Sequence, residues 1–356
     1  MRISLAAAMT LGLVQGKFFR DSKLHCLNIL LTYSDGCAGS CAYCGLARNR
    51  QTEAKNQQQS FIRVDWPTVQ LDEVLARMNQ DFSSSVERTC ISMVTNSKAK
   101  KDTLSIIHKL CAKTKEISVL IAPTIVNKSW LIEIKAAGAD KVGIAIDTAM
   151  PDLFEQLRGK GVKGPHGWNR YWKIIDDAVE IFGRYNVGIH LIVGLGETEK
   201  EIIQTIQLAH EKGVLTHLFS FFAEEGSLLQ DKLQPPIGKY RRVQLARYLI
   251  NKGKSSISQM AFDDQGRLAR FNLTDNELNG AIDSGLPFMT SGCSTKKRDG
   301  ACNRPFGDYT PYQAYIGEMR NYPFVPSKED VAIIRKQLWD QSDIPVKVWT
   351  EGLDYP

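Results

Sequence analysis

The chain has 356 residues, 43% of them hydrophobic, and a formal net charge of +6, values typical of a globular protein. This length suffices for one large α/β barrel with extensions or for two ordinary domains. No stretch reaches the roughly 18 apolar residues that a membrane span requires, and no arginine-rich run with interleaved aromatic residues indicates nucleic-acid binding. Eight cysteines are too few for a disulfide scaffold, which favours a reducing, cytoplasmic location.

Residues 3–14 are rich in Ala and Leu and follow Arg2, as in a short signal peptide. No convincing small-residue cleavage site follows them, so we expect an N-terminal helix. Apolar runs of strand length then alternate with amphipathic helical patterns. The predicted strands cover residues 27–33, 89–94, 117–122, 141–146, 187–193 and 216–221, and the helices between them cover 65–78, 101–113, 128–137, 168–184 and 199–212. Such alternation predicts a parallel sheet with right-handed crossovers.

After a predicted helix at residues 241–251, a seventh strand is predicted at 257–262, a helix at 274–284 and an eighth strand at 286–290. The pattern therefore predicts an α/β protein with a complete (β/α)8 TIM-type barrel. We expect residues 1–26 to form an N-terminal extension, 27–292 the barrel and 293–356 a C-terminal segment. In such a barrel the active site lies at the carboxyl ends of the strands.

Three cysteines follow the first predicted strand with the spacing C-x3-C-x2-C: Cys37, Cys41 and Cys44. Thiolates this close in sequence can converge on one metal centre. A closed zinc site requires four ligands and an ordinary iron–sulfur cluster takes four cysteines, so three leave one iron of a four-iron cluster open. A zinc site and scattered core cysteines are the alternative interpretations.

This motif, with Tyr43 before the third cysteine, resembles the signature of the radical S-adenosylmethionine (radical SAM) superfamily. The resemblance implies that Cys37, Cys41 and Cys44 hold a [4Fe–4S] cluster whose open iron binds SAM, with Tyr43 beside the cofactor. In that family one electron from the cluster splits SAM, and the resulting 5′-deoxyadenosyl radical abstracts hydrogen from an unreactive C–H bond. The resemblance also implies a TIM-type barrel core.

Residues at three predicted strand ends are candidates for binding SAM. Thr95 and Asn96 follow the second strand, where radical SAM enzymes carry a Gly-Gly-Glu-like segment that this chain lacks. Asp147 resembles a ribose-binding position of biotin synthase, and the guanidinium of Arg158 suits the carboxylate of SAM. For both, a helix cap or a surface pair is the alternative. The segment Ile192–Glu197 fits the I-x-G-x-x-E pattern that lines the adenine in this superfamily.

The other five cysteines are spread along the chain. Cys90 lies in a predicted strand and Cys111 in an amphipathic helix, so both are expected in the core. Cys26 precedes the first strand, whereas Cys293 and Cys302 follow the eighth. A barrel places its first and eighth strands side by side, so these three could meet. Cys26 would, however, lie at the amino end of its strand, opposite the C-x3-C-x2-C loop, unless the N-terminal segment bends.

The C-terminal sequence resembles a narrower family, the two-component, archaeal-type lipoyl synthases. The matching segments are Ser291-Gly292-Cys293, Cys302-Asn303-Arg304-Pro305-Phe306 and Asn321-Tyr322-Pro323. Those enzymes resemble biotin synthase and act as two related radical SAM subunits, which place sulfur at C6 and C8 of an octanoyl chain on a protein lysine. The resemblance implies an octanoylated lipoyl carrier protein as substrate, a sister subunit as partner and a ferredoxin-type reductant.

The same resemblance implies that Cys26, Cys293 and Cys302 hold a second, auxiliary [4Fe–4S] cluster that donates sulfur. Ser291 is then a candidate fourth ligand, and Arg304 lies near the clusters, where it steers substrate or shields sulfide. The N-terminal C-x4-C-x5-C motif of single-chain lipoyl synthases is absent. The alternative is a radical SAM enzyme of the methylornithine-synthase or hydrogenase-maturation type without a sacrificial cluster. An iron–sulfur electron carrier is disfavoured, because carriers normally close their cluster.

Overall fold

The computed structural model describes residues 1–50, 65–78, 84–114, 116–305, 309 and 311–340. Phe306 of the C-terminal motif and residues 341–356 of the predicted C-terminal segment lie outside these ranges. Among the described residues, no helix combines the length and the apolar character needed to cross a membrane.

The described residues form one seven-stranded sheet, in the order β1 to β7. Strand β1 (Arg2–Ile3) lies antiparallel to β2 (Cys26–Leu30) at one edge. The other strands continue from β2 in parallel: β3 (Arg88–Ser92), β4 (Ile117–Ile121), β5 (Lys141–Asp147), β6 (Val187–Val193) and β7 (Leu215–Ser220). Because β2 to β7 are parallel, their carboxyl ends meet at one end of the sheet.

Helices connect the strands and pack against the sheet around one continuous core that extends from Ile3 to Leu338. In chain order they are α1 (Leu5–Thr10), α2 (Leu71–Arg77), α3 (Ala99–Leu110), α4 (Lys128–Ala137), α5 (Pro151–Leu157), α6 (Trp168–Phe182), α7 (Glu199–Glu211) and α8 (Ile237–Asn251). Local sequence fixes several of their ends. The Asn127 side chain accepts from Trp130 N at the start of α4, which ends at Gly138 in the left-handed conformation.

The α/β class with a TIM-type core is confirmed. Every boundary of the first six predicted strands agrees with the structure within three residues, and Val187–Val193 agrees at both ends. The N-terminal region 3–14 contains a helix, α1, as expected, although Arg2–Ile3 first adds a short strand to the sheet.

The predicted seventh and eighth strands are wrong. Residues 257–259 form a short 3-10 helix, and β8 (Ala261–Phe262) pairs with β9 (Leu268–Arg270) in a separate antiparallel hairpin. This local pairing is available because Gly266 turns the chain at a φ of +74°. Residues 286–288 form another 3-10 turn, in which Pro287 has no N–H to donate to a strand ladder. Within the described chain, the sheet therefore stays open between β7 and the edge formed by β1 and β2.

A segment of the chain, rather than two strands, closes this gap. We call residues 289–305 the closing segment. At one end, the Ser291 hydroxyl accepts a hydrogen bond from Leu218 N of β7 at 3.1 Å. At the other end, Asn303 accepts from His25 N at 3.0 Å and donates to Lys23 O at 2.7 Å, immediately before β2. The closing segment therefore spans the distance from the last strand to the first parallel one.

Helix α9 (Asp275–Asp283) precedes the closing segment in the chain. Helices α10 (Pro311–Tyr315) and α11 (Lys328–Leu338) follow it. The N-terminal region is tied to α11, because Arg20 forms a bidentate ion pair with Asp330, with N–O distances of 2.6 and 3.1 Å. Asp330 also accepts from Ser327 N in the capping box that begins α11. The segment around Arg20 thus lies against the start of α11.

We predict that Asn303→Ala lowers the free energy of unfolding by about 2–4 kcal/mol, measured by urea denaturation. The side chain is buried and donates to Pro323 O as well as to Lys23 O, so its loss leaves buried backbone groups unpaired. Asn279→Ala is the matched control, because Asn279 is exposed and its side chain accepts a hydrogen bond from Arg335 at the surface, at 2.8 Å. Equal shifts in the two variants would contradict the role of Asn303.

Candidate active site

A cavity of about 240 Å³ lies at the carboxyl ends of the parallel strands, where barrels of this kind carry their active sites. Each parallel strand contributes a residue to its wall: Leu30, Ser92, Leu120, Ala145, Ile192 and Phe219. We call the sheet face that carries these side chains the lumen face. Cys37, Cys41 and Cys44 also line the cavity, so the C-x3-C-x2-C loop lies at the predicted end of the sheet.

Backbone hydrogen bonds hold the cysteine loop in place. Gly39 N donates to Cys37 Sγ at 3.3 Å, and Leu46 N donates to Cys44 Sγ at 3.4 Å, which are contacts that favour a thiolate. Burial raises the pKa of Cys41 and of Cys44, so metal binding must displace their protons. Three thiols on one loop, with N–H donors directed at two of them, fit a [4Fe–4S] cluster with one open iron.

Thr95 and Asn96, predicted to contact SAM, both lie beside this loop. Thr95 lines the cavity, and its carbonyl accepts from Ala38 N at 2.8 Å. The Asn96 side chain donates to Gly36 O at 2.9 Å and accepts from Lys98 N at 3.0 Å. Asn96 therefore fixes the start of the cysteine loop, whereas Thr95 is the one of the pair that faces the cavity.

Tyr43, Asp147 and Arg158, which lie far apart in sequence, meet at the cavity wall. The Tyr43 hydroxyl donates to Asp147 Oδ2 at 2.6 Å, and Arg158 Nη1 lies 3.2 Å from the same oxygen. Asp147 has a φ of +62°, in the left-handed region that costs a non-glycine residue ~1–3 kcal/mol. This conformation follows an irregularity in the pairing of β5 with β6 and directs the carboxylate to its two partners.

Arg158 is a buried cation next to the cluster cysteines. Its guanidinium donates to Ala145 O and to the Tyr171 hydroxyl, and it stacks over the rings of Phe154 and Tyr171. Although burial raises the pKa of Cys41, the charge of Arg158 acts in the opposite direction and favours the thiolate. Burial excludes the surface-pair alternative for both Arg158 and Asp147, which are 6% and 9% exposed.

The predicted adenine-lining segment places its two end residues in different environments. Ile192 lines the cavity. The buried Glu197 carboxylate accepts from the backbone N–H groups of Gly194, Leu195 and Gly196 at 2.7 to 3.1 Å and pairs with Lys239 at 3.1 Å. Glu197 therefore shapes the turn after β6 and positions the wall of the cavity through the backbone.

One residue of the cavity wall, His166, belongs to no motif or periodic pattern in the sequence. His166 lies between α5 and α6, where its Nδ1 is 2.7 Å from Thr124 Oγ1, and an added Cβ on Gly39 would lie 3.0 Å from its Nε2. Burial, followed by the charge of Arg158, lowers the pKa of His166 to about 3. His166 is therefore neutral at pH 7. No periodic pattern or motif marks this loop position, and only the tertiary contacts reveal it.

The structure places Cys26, Cys302 and Cys293, three of the cysteines outside the C-x3-C-x2-C motif, close to one another. Asn28 Nδ2 lies 4.0 Å from Cys26 Sγ and 3.7 Å from Cys302 Sγ. A hydrogen bond from the Cys26 thiol lowers the pKa of Cys302 to about 6 and raises that of Cys26. Cys293 is adjacent to Cys302 through the backbone, because its carbonyl accepts from Ala301 N at 2.9 Å.

The two cysteine sets occupy opposite ends of the lumen face. Cys26 begins β2, and the motif cysteines follow its carboxyl end, which lies about 13 Å further along a strand of this length. The expected position of Cys26 at the amino end is thus confirmed, and the closing segment brings Cys293 and Cys302 to it. Arg304 extends from this segment to the cavity, with its guanidinium 5.8 Å from the ring centroids of both Trp66 and Phe219.

No group of three or more His, Cys, Asp or Glu side chains in the described ranges converges tightly enough to hold a single metal ion. In a four-iron cluster, by contrast, each cysteine binds a different iron, so the ligands stand further apart. The thiols of Cys37, Cys41 and Cys44 therefore fit an iron–sulfur cluster with one open iron better than a single metal ion.

We predict that Tyr43→Phe raises the dissociation constant for SAM about tenfold and leaves the iron content unchanged. Loss of the hydroxyl removes a charge-assisted hydrogen bond to Asp147, and tenfold corresponds to ~1.4 kcal/mol. Equilibrium dialysis of the anaerobically reconstituted protein measures the dissociation constant, and a colorimetric iron assay measures the iron content. Tyr33→Phe is the matched control, because the Tyr33 hydroxyl donates to Asp102 at 2.9 Å, away from the cavity. Unchanged SAM affinity in Tyr43→Phe would contradict this positioning role.

Comparison with known proteins identifies a family for the part of the chain that carries the cysteine loop. The model of the radical SAM superfamily matches residues 31–209, a range that includes the cysteine loop, Asp147, Arg158 and Glu197. No curated protein matches the chain.

Solved structures give matches at low identity. Methylornithine synthase has a TM-score of 0.48 and 11% identity, over 70% of this chain and 67% of that one. The FeFe-hydrogenase maturase HydG of Carboxydothermus hydrogenoformans has a TM-score of 0.47 and 15% identity, over 94% and 81%. The radical SAM methyltransferase TsrM of Kitasatospora setae has a TM-score of 0.40 and 13% identity, over 74% and 52%. At these scores the matches carry no weight for function. The superfamily match covers half of the chain and contains the three cysteines of its motif, so the protein belongs to the radical SAM superfamily.

Proposed function

We propose that the protein is a lipoyl synthase subunit, which inserts sulfur into the octanoyl chain of a lipoyl carrier protein. The observation that carries this proposal is the meeting of Cys26, Cys293 and Cys302 at the amino end of the same lumen face whose carboxyl end carries the motif cysteines. A radical SAM enzyme that only rearranges or cleaves its substrate needs one cluster. Sulfur insertion needs a source of sulfur as well.

The cavity residues perform the binding functions of the first half of this reaction. Cys37, Cys41 and Cys44 hold the cluster, and Tyr43, Asp147 and Arg158 present a fixed carboxylate and a fixed cation to SAM. When bound, the cluster and SAM supply a 5′-deoxyadenosyl radical that removes hydrogen from an unactivated C–H bond. The apolar wall, including Trp66 and Phe219, excludes water and fits an octanoyl chain.

Cys26 of β2 and the closing segment perform the second half of the reaction. Cys26, Cys293 and Cys302 hold the auxiliary cluster, which supplies sulfur when bound. Arg304 lies between the two ends, where its charge lowers the pKa of Cys302 after the larger effect of the Cys26 hydrogen bond. A cation at this position stabilises anionic sulfur near the substrate carbon. An octanoylated carrier protein, a sister radical SAM subunit and a ferredoxin-type reductant are the partners that this function requires, and the net charge of +6 suits acidic partners.

We predict that Cys293→Ala and Cys302→Ala cleave SAM at rates within about twofold of the unmodified protein but form no sulfur-bearing octanoyl product. The two residues lie at the amino end of the lumen face, opposite the SAM site, so their loss removes the sulfur source alone. The assay supplies octanoylated carrier domain, SAM and dithionite anaerobically, and mass spectrometry measures 5′-deoxyadenosine and the acyl chain.

Cys111→Ala is the matched control, because its thiol donates to Ala137 O at 3.1 Å, outside the lumen face. This variant should retain both activities. Full turnover of the carrier substrate by Cys293→Ala and Cys302→Ala would contradict the proposal. It would indicate instead a radical SAM enzyme without a sacrificial cluster.

A further inference from the structure

A fourth cysteine shares the face of the sheet that holds the second cysteine set. Cys90 lies in the middle of β3, two residues before Ser92, which lines the cavity. Side chains two residues apart on a strand point to the same side, so Cys90 is on the lumen face. Its partner across the ladder in β2 is Asn28, the residue whose side chain contacts Cys26 and Cys302.

Strand register fixes how far Cys90 is from Cys26. Cys26 pairs with Arg88, so Cys26 and Cys90 lie on neighbouring strands, two residues apart in register. Strand spacing and rise give about 8 Å between their Cα atoms. That separation is too long for a disulfide, whose Cα atoms are at most ~7 Å apart, and leaves space between the thiols for a larger group.

The closing segment approaches Cys90 from the other side. The charges of Cys302 and Cys293 both act on the Cys90 thiol, whose pKa burial raises to about 12. The Ser118 side chain, opposite Cys90 in β4, acts on the thiols of both Cys90 and Cys293. Ser118 Oγ is buried and has no oxygen or nitrogen partner among the described residues. Asn28, which pairs with Cys90 across the ladder, has its amide 3.7 Å from Cys302 Sγ, so Cys90 borders the space next to the closing segment.

Ser291, the fourth ligand suggested by sequence, is already engaged elsewhere. Its hydroxyl accepts from Leu218 N at 3.1 Å, an interaction that anchors the closing segment to β7. A serine hydroxyl is also a harder ligand than a thiolate, which iron–sulfur clusters prefer.

We propose that Cys90 is the fourth protein ligand of the second iron–sulfur cluster, completing a set with Cys26, Cys293 and Cys302. This inference rests on the second cluster of the proposed function. It replaces Ser291 with a residue of the barrel wall, so that two ligands belong to neighbouring strands and two to the closing segment.

The test uses the full chain with Cys37, Cys41 and Cys44 all changed to Ala, so that only the second cluster contributes. After anaerobic reconstitution, this parent should hold about four iron atoms with the spectrum of a four-thiolate cluster. Adding Cys90→Ala should lower the iron content at least twofold, or give one iron with a non-thiolate ligand by Mössbauer spectroscopy. Cys90→Ser should keep the cluster, with the spectrum of one iron altered, which separates ligand loss from misfolding.

Cys111→Ala, made in the same parent, should leave iron content and spectrum unchanged. Ser291→Ala should leave the spectrum of the bound cluster unchanged, because it removes an anchor of the closing segment and not a ligand. If Cys90→Ala matches the parent in both readouts, the ligand assignment is wrong and the second cluster stands. A parent without iron would overturn the assignment together with the second cluster. If Cys90→Ala and Cys90→Ser behave as expected but the complete protein forms no sulfur-bearing product, the proposed function fails. The assignment of Cys90 as a ligand then stands.

Discussion

The open side of the sheet is the constraint on which the rest of the structure depends. Strand β1 pairs only with Ile29 and Leu30, so the amino half of β2 remains available to another partner. Residues 289–305 occupy that position, and hydrogen bonds of Asn303 fix them there. A complete eight-stranded barrel would fill this space with backbone. The open form instead admits a segment that carries Cys293, Cys302 and Arg304.

Buried arginines accompany both sets of cysteines. Arg158 lies beside Cys41, and Arg88 lies at the amino rim, where it pairs with Asp140 at 2.6 Å and donates to Ser294 O at 3.1 Å. The charge of Arg88 lowers the pKa of Cys293 against the larger effect of burial. Thiolates in a low-dielectric interior need such cations, because burial alone would keep the sulfur atoms protonated. An arginine therefore lies near cysteines at each end of the lumen face and favours their thiolate forms.

The sequence predicts the parts of the structure that follow from local pattern, and fails where tertiary contacts decide. Alternating strands and helices locate β2 to β7 and the C-x3-C-x2-C loop. The apolar run at 257–262 misleads, because periodicity cannot tell a barrel strand from one arm of a hairpin. From the sequence, Cys90 is predicted only to be a core residue. Its position next to the closing segment depends on the register of β3 with β2, which the sequence does not reveal. Glu197 fits a motif, yet only the structure shows that its carboxylate holds the turn.

The most direct test of two clusters in one barrel is the iron and sulfide content after anaerobic reconstitution. The unmodified chain is compared with the variant that has Cys37, Cys41 and Cys44 changed to Ala. Two clusters predict about eight iron atoms in the first and about four in the second. About four in the unmodified chain and none in the variant would leave the SAM cluster alone, and would contradict sulfur donation from the amino end of the barrel.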